Sequence, residues 1–513
     1  MSYIEDVIKK AKTASAGASA APQSPEELGR EKTLIDSYGA TKIFRVAGEP
    51  LLLYEVPAAR YRGEEKALIS AIIDLASRSI NIDEALFQTQ SEKRARYLSK
   101  VMEVIESSGE QLNIPSNSKE FYAGAVVQEI AGFGLIDPLI ADDELEEIMV
   151  IGMNKPVYVF HRKYEMMKTN IVFYEDKDTL DLIDRIARNI GRRIDAQSPL
   201  LDARLPDGTR VNATIPPVSL DGSTITLRKF RHDPLSIIDL INNNTLNYEV
   251  AAFLWMMGEG MGAFPANVII AGETASGKTT LLNAMTGFIP NYERLITIED
   301  TAELSLPFEH WVRFEVRPPG VEGTGEIDSD TLLKNALRMR PDRIIVGEIR
   351  GQEGYTLFSA MNTGHRGAMG TLHSNTARET LIRLTSPPMS VPNLMLSALN
   401  FIVMQQRIYD RRKGLIRRVS EIAEVSFVDE NKLPDLRLLY QWDPAKDEIT
   451  STGEQANYLQ EIARYSGEAR PNLLKELEAR GKILREMNEK GIRDMESVIQ
   501  VTQNYSGKRQ GKI

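Results

Sequence analysis

The segment that most restricts how this chain can fold lies just past its midpoint. There the apolar run Val268–Ala271 meets Gly272-Glu273-Thr274-Ala275-Ser276-Gly277-Lys278-Thr279, and TTLLNAMTGF continues as a helical pattern. The octapeptide fits G-x-x-x-x-G-K-[ST] in the strand–loop–helix order that this motif needs. A buried strand feeding such a loop implies an α/β layer built on a parallel sheet. The chemistry follows from the same residues. Glycines let backbone N–H groups close around phosphate oxygens, and the helix N-terminus adds the positive end of its dipole. Lys278 is placed to reach the β- and γ-phosphates, and Thr279 offers a hydroxyl to Mg2+, a hard cation that prefers oxygen ligands.

Two more buried-strand candidates, RLITIED and DRIIVGEI, alternate with helical segments after NVIIAG. Glu299, Asp300 and Glu303 close the first, and Glu348 closes the second. Acids at the carboxyl ends of parallel strands converge on the ligand crevice, where Glu348 could orient water or hold a metal's water shell. Five histidines occur, and His365 and His373 flank the Gly-rich stretch of GHRGAMGTLHSN. Their spacing is not the i, i+4 of a helical zinc pair, and the chain has no Cys to assist. They read either as hydrogen-bonding core residues or as sensors of phosphate or a neighbouring subunit.

The 513 residues carry 62 Lys+Arg against 72 Asp+Glu, a net charge of -10, which argues against wholesale coating of nucleic acid or anionic lipid. The absence of Cys excludes a disulfide scaffold and cysteine catalysis and suits a reducing compartment. No segment reaches the ~18 apolar residues of a spanning helix; NLMLSALNFIVM comes nearest. The protein therefore reads as soluble, with any membrane association borrowed from a partner.

Residues 1–30 pair a short amphipathic pattern with an Ala/Ser/Pro-rich tether, either a flexible partner-docking arm or a frayed terminus. Ordered structure is expected from near Lys42. Residues 31–229 mix short apolar runs with helical patterns such as DTLDLIDRIARNIGRRI, which suggests an α+β domain. Pro234 and the Asn242–Asn244 run mark a linker over 230–244. Residues 245–513 form the phosphate-loop domain, ending in a charged helical tail. IYDRRKGLIRRVSEIAEV reads as a hairpin with a solvated basic face, carrying Arg407, Arg411, Arg412, Lys413, Arg417 and Arg418.

Four motifs stand in a fixed order and together resemble the secretion-superfamily ATPases, the motors of type II secretion, type IV pili and type IV secretion. GETASGKTT looks like their Walker A, TIEDTAE their Asp box, RIIVGEIRGQE their Walker B, and TGHRGAMGTLHSN their His box. The resemblance implies a RecA-like ATPase domain with ATP and Mg2+ as cofactors. It implies nucleotide contacts at Gly272, Thr274, Ala275, Ser276, Gly277, Lys278, Thr279 and Thr280, with sensing at His365 and His373. Catalysis falls to Glu299, Glu303 and Glu348, and metal binding to Thr279, Glu299 and Glu348, with the general base left open. RLPDGTRVNATIPP and STITLRKF look like the family's N-terminal domain, so Arg204, Arg210 and Arg228 are candidate phosphate contacts.

The lack of Cys departs from the zinc-bearing type II branch. IADDELEEIMVIGMNKPVYVFHRKYEMMKTNIVF and the helical tail look more like the archaeal branch, and within it the archaellum (archaeal flagellum) motor ATPases. The resemblance implies a homohexamer docked from the cytoplasm on a polytopic membrane platform protein, with other cytoplasmic motor components. Archaeal adhesive-pilus ATPases share most of these residues. The basic hairpin leaves a nucleic-acid-translocating motor as an alternative of another class, although no stable nucleic-acid partner is expected.

Overall fold

The computed structural model describes residues 30–57, 64–79, 90–112, 114–115, 118–205, 207–230, 233–319, 324–410, 413–426 and 432–509. The expected N-terminal arm, as well as His232, Arg411 and Arg412, lies outside the described residues, apart from Arg30 at the arm's end. The chain divides into two compact units, Met1–Phe230 and Arg231–Ile513.

The first unit is α+β. Its strands are β1 (Lys32–Tyr38), β2 (Thr41–Val46), β3 (Leu52–Glu55), β4 (Leu145–Val150), β5 (Pro156–His161), β6 (Glu165–Val172), β7 (Leu200–Arg204), β8 (Arg210–Thr214) and β9 (Thr224–Arg228). They form one sheet in the order β1-β2-β3-β6-β5-β4-β9-β8-β7. Burial alternates residue by residue along β5 and β6, as a sheet with one covered face requires. Val157, Val159, Ile148, Ile225 and Leu227 pack there with Leu182, Ile183 and Ile186 of the helix Asp176–Asn189. A second cluster ties together the helices Glu64–Ser79, Gln90–Leu112 and Lys119–Ile130 through Ile69, Ile72, Val101, Ile105 and Val126. Strand β1 starts ten residues before the expected Lys42; it is largely exposed, so no apolar run announces it.

The second unit holds β10 (Val268–Gly272), β11 (Leu295–Glu299), β12 (Trp311–Glu315), β13 (Arg343–Val346), β14 (Met369–His373), β15 (Phe401–Asp410), β16 (Gly414–Val425), β17 (Leu436–Asp443) and β18 (Glu448–Ser451). The sheet order is β12-β11-β13-β14-β10-β15-β16-β17-β18. Strands β10 to β15 pair in parallel, and β15 to β18 pair antiparallel. Successive residues of β10 face opposite cores, Val268 and Ile270 in one and Ile269 and Ala271 in the other. The run VIIA is therefore apolar without alternation, the signature of a parallel strand covered on both faces.

The expected linker, 230–244, is not a bare connection. It contains the helix Ile237–Asn242, opened by a reciprocal Ser236–Asp239 capping box, and Ile237, Ile238, Leu240 and Ile241 join the second unit's core. NLMLSALNFIVM splits into a 3-10 helix, Asn393–Ala398, and the start of β15. Among the described residues no single helix is long and apolar enough to cross a membrane. The charged tail is helical over Tyr458–Ser466, Arg470–Glu489 and Met495–Arg509, and it inserts Leu473, Leu484, Met487, Val498 and Ile499 into the core.

Candidate nucleotide site

The parallel register brings the motifs to one edge of the second sheet. Gly272 ends β10 with His373 of β14 directly beside it on one side and Gln405 of β15 on the other. On β11 and β13, Ile298 is in register with Val346, and the Gly347 N–H donates to the Ile298 carbonyl at 2.8 Å. Glu299 and Glu348 thus leave neighbouring strands at the same level. Gly347 has no side chain for a reason: a Cβ there would sit 2.9 Å from Glu299 Cγ.

Between Gly272 and the helix Lys278–Thr286 the loop closes tightly. Ala275 and Gly277 both have positive φ, 59° and 96°, and Gly277 starts the helix with no side-chain cap. Backbone N–H groups at this turn therefore remain available to an anion. A Cβ at Gly272 would lie 2.0 Å from the Gln405 carbonyl oxygen, so only glycine fits. Ser276 Oγ is buried without a hydrogen-bond partner. Thr279 and Thr280 are half-buried, while Thr274 and Ala275 are exposed.

A chain of polar contacts runs across this edge. Buried Lys278 donates from Nζ to the Glu273 carbonyl at 2.7 Å and lies 3.2 Å from His373 Nδ1. The other ring nitrogen of His373 is 3.1 Å from Glu348 Oε1. Arg350 grips Glu348 through two nitrogens, with Nε at 2.6 Å from Oε1, and its Nη1 is 3.3 Å from Asp300 Oδ2. Burial pulls the Lys278 ammonium down to about 8, although the nearby Glu348 carboxylate acts the other way. His373 is also lowered, by burial and then by the charge of Lys278. At Glu348 burial acts upward, but Arg350, His373 and Lys278 outweigh it and hold the carboxyl below its usual range.

Glu299 is the opposite case. It is 3% exposed. Its Oε2 accepts from the backbone N–H groups of Glu303 and Leu304 at 2.7 and 2.9 Å, and its Oε1 has no partner. Burial pushes its carboxyl up to about 7 against those two hydrogen bonds. Two carboxylates on adjacent strand ends with pKa values driven apart are what acid–base or metal chemistry uses. Glu303 is exposed; its N–H is one of the two that orient Glu299, and its charge also acts upward on the Glu299 carboxyl.

The residues fit a nucleotide triphosphate and its cation. The loop cradles phosphate, Lys278 supplies positive charge, and Glu299 Oε1, buried and unpartnered at the end of β11, suits a hard cation. Among the described residues no cluster of three or more His, Cys, Asp or Glu could hold a metal alone. Mg2+ does not need one, because it keeps several waters and takes one or two protein oxygens together with substrate phosphates.

Sequence reasoning and geometry part at three places. His365 lies before β14, whereas His373 ends that strand, so the two histidines lie toward opposite ends of a strand about 13 Å long. Only His373 is in the site. Within the basic hairpin, Arg418 is buried and paired with Asp447 at 2.7 and 2.8 Å, and Arg417 Nε donates to the Ala275 carbonyl at 3.0 Å. Arg418 is thus withdrawn from the expected solvated basic face, and half-buried Arg417 is tied to the loop; their polar partners lie too far away in sequence to be read from it. Gln405 was missed for the same reason. In the first unit, Arg204 is directly opposite Arg210, and Arg210 is opposite Arg228. The three candidate arginines thus stand in one cross-strand row, with Arg228 Nε 3.1 Å from Glu147 Oε1. Like charges directly opposite one another repel, and Glu147, opposite Arg228 on β4, supplies counter-charge at one end of the row.

The family model described as "Type II/IV secretion system protein" matches residues 129–496. The chain belongs to that family. Among its relatives, an uncharacterized protein of Methanocaldococcus jannaschii is 34% identical over 76% of this chain and 77% of its own length. The type IV secretion system protein VirB11 of Bartonella henselae is 30% identical over 49% of this chain and 78% of that protein. The solved structure of the Legionella pneumophila ATPase DotB is 19% identical, covers 71% of this chain and 92% of that one, and has a TM-score of 0.40. Family membership agrees with the resemblance drawn from the four motifs.

Proposed function

We propose that this protein is a Mg2+-dependent ATPase that converts ATP and water to ADP and phosphate and works as a secretion-type motor. The observation that carries the reading is the contact chain Lys278–His373–Glu348 at the mouth of the phosphate loop. Loop N–H groups and Lys278 neutralise the β- and γ-phosphate oxygens. Glu348, ionised at neutral pH, accepts a hydrogen bond from the attacking water and orients it in line with the γ-phosphorus. The His373 ring spaces Lys278 from Glu348, so the cation and the carboxylate do not collapse into a direct pair. Mg2+, when bound, neutralises charge shared by the β- and γ-oxygens; Thr279 and Glu299 would hold it. By the likeness of RLPDGTRVNATIPP and STITLRKF to the family's N-terminal domain, Arg204, Arg210 and Arg228 are proposed as further phosphate contacts.

The machine proposed for this motor is the archaellum, with a homohexamer on the cytoplasmic side of the membrane acting on a polytopic platform protein. What favours it is the likeness of residues 140–173 and of the helical tail to the archaeal branch, together with the absence of Cys. An adhesive-pilus or type II/IV secretion ATPase is the second reading, supported by the 30% identity to VirB11. A nucleic-acid motor loses part of its support, because Arg418 of the basic hairpin is buried on Asp447 and Arg417 is bonded to the phosphate loop.

Replacing Lys278 by Ala tests the ATPase and the machine together. Turnover of the purified protein should fall at least ~100-fold, and host cells carrying the substitution should assemble no archaella while retaining adhesive pili. Phosphate release at the wild-type rate sinks the ATPase reading. Loss of adhesive pili with intact archaella transfers the assignment to the second machine.

A further inference from the structure

Arg417 sits on β16, two strands away from β10, yet it reaches the phosphate loop. Its Nε donates to the carbonyl of Ala275 at 3.0 Å, and its Cδ lies 3.4 Å from where a Cβ on Gly277 would stand. Gln405, 1% exposed and with an unpartnered Oε1, fills the space between them, its Nε2 3.3 Å from the same point. The register of β15 on β16 slips between Met404 and Gln405, at the level of Gly272. Such irregularities re-aim side chains beside functional sites. The carbonyl that Arg417 holds belongs to Ala275, whose φ of 59° is unfavourable for a residue with a side chain and must be stabilised by its surroundings.

We infer that Arg417 is a positioning residue for nucleotide binding: it clamps Ala275 and so holds the phosphate loop in the curvature that receives a nucleoside di- or triphosphate. This rests on the ATPase reading above. The guanidinium spends Nε on the loop carbonyl, and its stem packs on Gly277 against Gln405. The loop is thus shaped before the ligand arrives, and the ligand does not have to order it. Loss of the clamp weakens binding more than it slows the bond-breaking step, because Arg417 stabilises the loop in ground and transition states alike.

The test is R417M and R417K in the full-length protein. R417M keeps a stem and removes the donor, whereas R417K restores one. R417M should raise KM for ATP by about 10-fold or more, with kcat within about twofold of wild type. R417K should stay within about threefold of the wild-type KM. The rise in melting temperature on adding saturating ADP should shrink in R417M, while the nucleotide-free melting temperature stays at the wild-type value. A wild-type KM in R417M, or a fall in kcat at constant KM, overturns the inference. If R417M melts lower without ligand, the ADP-induced rise is read alone, and an undiminished rise overturns the inference. Absence of turnover in the wild-type protein is a failure of the ATPase reading instead, since the ADP-induced rise reports binding without hydrolysis.

Discussion

Single residues carry the chemistry, and Glu299 carries the sharpest consequence. Its carboxyl is pushed up to about 7 by burial, against an ordinary value of 4.5. Between those pH values the folded protein keeps a proton that the unfolded chain has released. Stability from this group therefore falls as pH rises from 4.5 to 7 and stays reduced above that. Glu299→Gln cannot ionise and keeps the shape, so it should melt higher than wild type at pH 8 by on the order of 3 kcal/mol of stability. The gain should vanish at pH 4; a pH-independent difference would contradict the assignment. Lys278 and Gly277 were legible from the motif alone, since eight consecutive residues define it. Arg417 and Gln405 were not, because they reach Ala275 and Gly277 from strands more than a hundred residues downstream.

At the scale of elements, strand termini explain the site. Apolar runs such as VIIA and LITI each declare a buried strand, and the residue that ends the run lands at the sheet's edge. The histidines show the limit of that reasoning. Both lie in one motif, but His365 precedes β14 and His373 ends it, and only the ladder pairing tells which end faces Gly272. The helical tail shows another limit. Its charge suggests a solvated surface, yet Arg480 is 0% exposed, bonded to Glu259 at 2.7 Å and Glu476 at 3.0 Å, with its guanidinium 4.7 Å from the Trp255 ring. Arg509 and Tyr505 also reach Glu476, at 3.2 and 3.1 Å, which joins the last two helices to the helix Tyr248–Glu259. Arg480→Ala leaves two buried acids without their shared cation and should cost about 3–5 kcal/mol in chemical denaturation. A loss below about 1 kcal/mol would place these groups with ordinary surface pairs.

At the scale of the whole molecule, the chain divides into two units. The second bears the loop and the carboxylates, and the first bears the row Arg204–Arg210–Arg228. If the row stabilises charge only in the transition state, Arg210→Ala should lower kcat at least ~10-fold while ADP affinity changes less than about threefold. Equal losses in both would make the row a plain binding surface. The sequence by itself determined the parallel α/β layer, the phosphate loop, the two acidic strand ends and the family, because each is written in contiguous residues whose spacing matches a strand or a helix turn. The tertiary structure decided the rest: which histidine joins Lys278, which glutamate burial pushes upward, that Arg418 is buried, and that Arg417 grips the loop. Those outcomes depend on burial and on contacts between distant strands, and neither charge nor periodicity along the chain encodes which side chains will share a low-dielectric pocket.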